Sequence, residues 1–156
     1  GDCTNFVSQA LHTGGWQYTA SRDDKSTNTW YVAWNNAKRA FTNSQTWSTA
    51  AGFYRRIIND KYEKSVLPTS DLYSLRPGDI AFLTSGGKSH HTMIVTGYQE
   101  KPWWNPFASY GPLVSYHNGG VNPNTNMPNL PQQNILLTEV IARSPNDTPV
   151  FAKVRS

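Results

Sequence analysis

One cysteine and four histidines stand out in this 156-residue sequence as side chains able to do chemistry near neutral pH. Cys3 lies in Gly1-Asp2-Cys3-Thr4-Asn5-Phe6-Val7-Ser8-Gln9-Ala10-Leu11-His12, which reads as a helix start with a thiol in its first turn. Asp2 is a strong N-cap type, able to accept from orphan backbone N–H groups. Phe6, Val7, Ala10 and Leu11 recur at helical spacing, and Gly14-Gly15 supplies a left-handed stop. A thiol at that position meets unpaired N–H groups and the positive end of the helix dipole, which favour thiolate, the nucleophilic form. A lone Cys is more often a small buried hydrophobe. Cys3, however, precedes the apolar stripe, and a single Cys with histidines elsewhere is a candidate nucleophile.

Such a nucleophile needs a base that takes its proton and later protonates the leaving amine, work suited to His. His12 falls near the C-terminal end of the first helix, where a helix-end role suits it. His90 and His91 are adjacent on an expected strand, so they point to opposite faces and only one can reach the thiol. A third polar group must orient that base, and the strand Leu113-Val114-Ser115-Tyr116-His117-Asn118 ends in two candidates that also alternate. Cys3, His90, His91 and His117 include zinc-ligand types, but none has the short spacing of a preformed site. No metal and no cofactor is therefore expected. Asp79, in Pro77-Gly78-Asp79, sits where a turn enters a strand and reads as structural.

The stretch Asp2 to Leu11, followed by Gly14-Gly15-Trp16, resembles the opening of the putative amidase domain family, within the papain-like cysteine hydrolases and related to CHAP and NlpC-type cell-wall enzymes. Leu75-Arg76-Pro77-Gly78-Asp79-Ile80 and His91-Thr92-Met93-Ile94-Val95-Thr96 continue the resemblance, which spans roughly residues 2 to 118. It implies Cys3 as nucleophile, His91 as base ahead of His90, and His117 as the orienting residue ahead of Asn118. It implies the backbone N–H of Cys3 as part of an oxyanion hole, and amide bonds of peptidoglycan and its stem peptides as substrate. Two other readings remain open. One is the same thiol chemistry in a secreted effector or toxin, for which an inhibitor or immunity protein is the expected partner. The other is a non-catalytic wall-binding module.

These residues need elements to hold them. A second helix is expected from Trp30 to Phe41, with Trp34, Ala37 and Phe41 on one buried stripe. A third is expected from Thr46 to about Tyr62, its face of Arg55, Arg56, Asp60 and Lys61 solvated. After Pro68 the apolar pattern changes to period two. Strands are expected at Ile80–Leu83, His90–Tyr98, Leu113–Asn118, Ile135–Ala142 and Val150–Val154, with a turn at Gly86-Gly87. Helices first and antiparallel strands afterwards make an α+β domain; the resemblance adds a papain-like arrangement of helices packed on an antiparallel sheet or half-barrel. The aromatic loop Pro102-Trp103-Trp104-Asn105-Pro106-Phe107 is expected to line the substrate cleft through Trp103 and Trp104.

Composition narrows the class. The length suits one domain over residues 1–156, and a start so close to the proposed nucleophile suggests a domain excised from a longer chain. Charged residues are only 15% of the sequence, while six Trp and eight Tyr raise the aromatic content to 13%, a surface chemistry suited to glycan or glycopeptide contact. A net charge of +4 attracts polyanions. The basic residues are scattered, which argues against nucleic acid. There is no membrane span and no signal peptide within the chain, so a secreted or wall-associated bacterial protein would carry its export signal elsewhere.

Overall fold

The computed structural model describes residues 2–119, 122–127 and 129–155. The first helix, α1, runs from Asp2 to Thr13 and buries Cys3, Thr4, Val7, Ser8 and Leu11 along one side. It ends as the glycines require: Gly14 N–H bonds to the Ala10 carbonyl at 2.9 Å, and Gly15 takes φ 114°. A short antiparallel pair follows, β1 (Val32–Asn35) and β2 (Ala40–Asn43). Next come α2 (Gln45–Ser48), α3 (Ala50–Tyr54) and a π-helical turn, Arg55–Asn59.

The remaining strands are β3 (Val66–Thr69), β4 (Ile80–Ser85), β5 (Lys88–Gln99), β6 (Gly111–Tyr116), β7 (Gln132–Leu136) and β8 (Thr148–Val154), with α4 (Leu137–Ala142) between the last two. They form one open antiparallel sheet in the order β3-β8-β4-β5-β6-β7. The α+β class is therefore as expected, and the sheet does not close into a barrel.

Period-two alternation divides the apolar residues of this sheet into two cores. Ile80, Phe82 and Ile94 face Val7 and Leu11 of α1 together with Trp30, Trp47 and Phe53. Ala81, Leu83, Met93, Val95, Val114 and Tyr116 face Leu137 and Val140 of α4. Asp79 anchors the start of β4. Its carboxylate accepts from Arg76 N–H at 2.8 Å, Val154 N–H at 2.8 Å and Lys153 Nζ at 3.0 Å, the structural role its turn position implied.

Three expected elements differ. Residues 30–41 form no helix. Asn35 Oδ1 accepts from Lys38 N–H at 2.9 Å and Arg39 takes φ 49°, closing a hairpin in which Trp34 faces Phe41 edge-on at 5.2 Å. Both rings are more than half exposed. The buried aromatic of this region is Trp30, so the helical stripe assigned to Trp34 and Phe41 was a cross-strand pair. The expected helix from Thr46 breaks at Thr49, which is extended and caps α3 through Gly52 N–H at 3.0 Å. The expected strand Ile135–Ala142 turns helical after Leu136, because Leu137 and Val140 point together into the second core.

Arg56 also departs from its expected solvated face, since it is 4% exposed. Its guanidinium donates to the Thr27 carbonyl at 2.8 Å and to Glu63 Oε1 at 2.6 Å. Removing one partner of a buried pair strands the other charge. Glu63→Ala should therefore cost about 3 kcal/mol in denaturant unfolding. The double change Arg56→Met with Glu63→Leu should recover most of that loss, and equal losses in the two variants would contradict the pairing.

Candidate functional site

The N-terminus of α1 meets the sheet where β5 begins and β6 ends. Thr4 Oγ1 lies 3.1 Å from Thr92 Oγ1, a buried contact that fixes the first turn of α1 to β5. Cys3 is buried, with Sγ 3.7 Å from Thr4 Oγ1. On the same face, His117 stacks on Phe6 with ring centroids 4.2 Å apart and planes 18° from parallel. Its Nδ1 lies 3.3 Å from Asp2 Oδ2. The residues before and after the thiol on α1 thus hold one imidazole. When Nδ1 directs its proton toward Asp2, Nε2 is left as an acceptor, the division of labour that a base oriented by a carboxylate needs.

His91 lies on the other face. It shares that face with Met93 and Val95, as alternation requires, and its ring meets Tyr116 edge-on at 4.8 Å. It lines a groove of about 300 Å³ with Leu83, His90, Tyr116, Asn118 and Arg143. His90 was expected to point the opposite way. The register of β4 against β5 shifts between Leu83 and Thr84, so His91 pairs with Leu83 while Ser89 pairs with Thr84. The bulge leaves His90 unpaired and brings it into the same groove, with Nε2 2.9 Å from Asp147 Oδ1. Burial holds the His91 imidazole well below its usual range, at about 4, with the neighbouring His90 adding to the effect and Asp147 opposing it.

The expected constellation of Cys3, His91 and His117 is therefore split between the two faces at one end of the sheet. His117 accompanies Cys3, and Asn118 accompanies His91. Among the described residues, no hydrogen bond joins Cys3 Sγ to a histidine, and no three His, Cys, Asp or Glu side chains form a group fit for a metal. His12 accepts a helix-end role, its Nδ1 2.7 Å from the Trp16 carbonyl and its ring stacked on Tyr18 at 4.0 Å.

Trp103 and Trp104 are not brought to this end. Their loop follows Gln99, eight strand residues beyond His91, a separation of roughly 26 Å at the usual strand rise. Trp103 is 95% exposed and Phe107 is 94% exposed, so the rings protrude instead of lining a cleft beside Cys3. Asp2 was read from sequence as a helix cap; its place beside His117 was not visible because the two are 115 residues apart in a chain folded through the whole sheet. The same holds for Asp147 beside His90. The signal that existed was local, an Asp next to the Cys.

A family model for the putative amidase domain matches residues 1–130. The chain belongs to that family. No curated protein and no solved structure matches it. Membership makes hydrolysis of amide bonds the activity class of this amidase domain, and the match takes in the first turn of α1, both ends of β5 and the end of β6.

The buried His91 carries a consequence for stability. In the unfolded chain it takes up a proton near 6.5, while the folded chain keeps it neutral down to about 4. The stability that depends on its neutrality is complete above about 6.5 and is lost as pH falls toward 4. His91→Gln should flatten the fall in unfolding free energy between pH 7 and pH 4 by on the order of 3 kcal/mol. Parallel curves for variant and wild type would show that His91 is not buried in its neutral form.

Proposed function

We propose that this amidase domain is a cysteine-dependent hydrolase of amide bonds in bacterial cell-wall peptidoglycan, acting outside the cytoplasm. Cys3 is the nucleophile and His117 its proton carrier. The observation behind this assignment is the bracketing of His117 by Asp2 and Phe6, the residues that flank Cys3 on α1. The substrate class rests on the resemblance to cell-wall enzymes and on the basic, low-charge surface, which suits an anionic wall.

The chemistry follows from these positions. His117 takes the thiol proton, and Sγ forms a bond to the substrate carbonyl carbon. The oxygen that becomes negative is stabilised by the backbone N–H of Cys3 at the start of α1. Collapse of the adduct breaks the C–N bond, and the leaving amine receives the proton from the His117 imidazolium. Water, deprotonated by the same ring, then attacks the thioester and restores the thiol.

A second assignment of the base has its own observations. His91 is the histidine of the resembling motif, is kept neutral at pH 7, and shares a groove with Asn118. It requires the His91 ring to reach the thiol around the end of β5.

Cys3→Ala should abolish hydrolysis of purified sacculi, followed as released muropeptides by mass spectrometry, with an unchanged melting temperature. Hydrolysis that survives this change and yields to chelators would end the thiol reading. Turnover and the rate of iodoacetamide labelling of Cys3 should both fall at least about 100-fold in His117→Ala. If His91→Ala shows that loss and His117→Ala does not, the base is His91 and the nucleophile stands. Sacculi left intact by a protein whose thiol still alkylates rapidly would redirect the chemistry to a protein substrate.

A further inference from the structure

A cationic groove lies on the sheet face that carries α1. It has a volume of about 340 Å³ and is lined by Ala51, Tyr54, Arg55, Asn59, Lys88 and the turn glycines Gly86 and Gly87. Arg55 and Lys88 are exposed, and neither enters an ion pair among the described residues. Among the described residues, no acidic side chain lines the groove. Asp60, the nearest acid along the chain, is turned to Thr27 Oγ1 at 2.5 Å. Two unpaired cations in one concavity focus a positive potential that water alone offsets.

The local backbone is also unusual. Asp60 N–H bonds to the Arg55 carbonyl at 2.8 Å, the i to i+5 pattern of a π-turn, a rare geometry found often at functional sites. Within this turn Arg56 is buried against Thr27 and Glu63 while Arg55 and Asn59 are left facing outward at the groove. Opposite them, Gly86 and Gly87 take φ 59° and 77°, a turn that carries no side chains over the opening.

The groove stands in a useful relation to the thiol. Tyr54 and Phe82 belong to the core that includes Val7 and Leu11 of α1, so groove and thiol share one face of the sheet. Lys88 lies four residues along β5 from Thr92, the residue that touches Thr4. That is about 13 Å at the usual strand rise, the span of three to four residues of an extended peptide.

We propose that this groove is an anion subsite that binds the terminal carboxylate of the substrate's peptide, through Arg55 and Lys88, while the scissile amide lies at Cys3. The proposal rests on the cysteine-hydrolase reading for the position of the scissile bond. Guanidinium and ammonium groups recognise carboxylate and phosphate alike, so a phosphodiester of an anionic wall polymer has the same chemistry and must be distinguished by experiment.

Binding is measured by calorimetry on the Cys3→Ala protein, which removes turnover from the comparison. The probes are a synthetic stem tetrapeptide with a free C-terminal carboxylate, the same peptide as its C-terminal amide, and sn-glycerol 3-phosphate. The free acid should bind about tenfold tighter than the amide, and added Arg55→Gln and Lys88→Gln changes should erase that difference with no change in melting temperature. Equal affinity for acid and amide overturns the proposal, as does an Arg55- and Lys88-dependent preference for glycerol phosphate over the peptide acid. Loss of the acid preference in a protein whose wild type still hydrolyses sacculi removes the subsite alone. An intact preference in a protein whose wild type shows no thiol-dependent hydrolysis keeps the subsite and removes the cysteine reading.

Discussion

Successive side chains on a strand point to opposite faces, and at the junction of α1 with the sheet that rule, broken at the single bulge of β4 against β5, sorts the polar residues. Val7 and Leu11 pack on Ile80, Phe82 and Ile94, so α1 is committed to one face. The contact between Thr4 and Thr92 then sets the height of the first turn along β5. Once Thr92 faces α1, His91 must face α4, and just past the end of β6 His117 reaches Phe6 while Asn118 lines the groove of His91. Shifting one residue in either strand would exchange the two sets, but it would also drive the apolar residues of both cores into the wrong layer. The hydrophobic cores therefore hold the register that the polar residues use.

Among the described residues at that end are two imidazole–carboxylate pairs and one histidine with no carboxylate in contact. His117 lies against Asp2 and His90 lies against Asp147, while His91 is buried beside Tyr116 and is pushed down to about 4. A neutral ring at neutral pH can accept a proton, but burial makes its protonated form costly. His117, by contrast, lies between Asp2 and Phe6 of α1, the helix that carries Cys3.

The segment between Ser44 and Tyr62 has a comparable logic. A continuous helix there would have carried Arg56 to solvent. Instead Thr49 interrupts it and a π-turn follows, with Gly52 in a position where a Cβ would come within 2.6 Å of the Gln45 carbonyl. The close approach of α2 and α3 that this glycine permits accompanies the burial of Trp47 and Phe53 in the first core. Arg56 is satisfied at two of its nitrogens by Thr27 and Glu63, while Nε finds no hydrogen-bond partner among the described residues. The same turn leaves Arg55 facing outward on the sheet face shared with Cys3.

The sequence by itself determined the parts of this protein that depend on near neighbours. The helix from Asp2, its glycine stop, the Gly86-Gly87 turn, the period of β4 and β5 and the structural place of Asp79 all follow from residues within a few positions of one another. So does the α+β class. Where two local patterns compete, tertiary packing decided. Trp34 and Phe41 fit a helical stripe or a cross-strand pair equally well by spacing, and only the turn at Asn35 and the burial of Trp30 select the hairpin. Leu137 and Val140 fit a strand until the second core requires them on one side. The bulge that turns His90 into the groove of His91 comes from how β4 pairs with β5, and no single strand encodes it. The same is true of Asp2 beside His117. Alternation could be read from the chain and said that only one member of each adjacent pair could face the thiol. For His117 and Asn118 the choice depends on the face that α1 covers, which the packing of distant apolar residues settles, while the bulge takes both His90 and His91 to the other face.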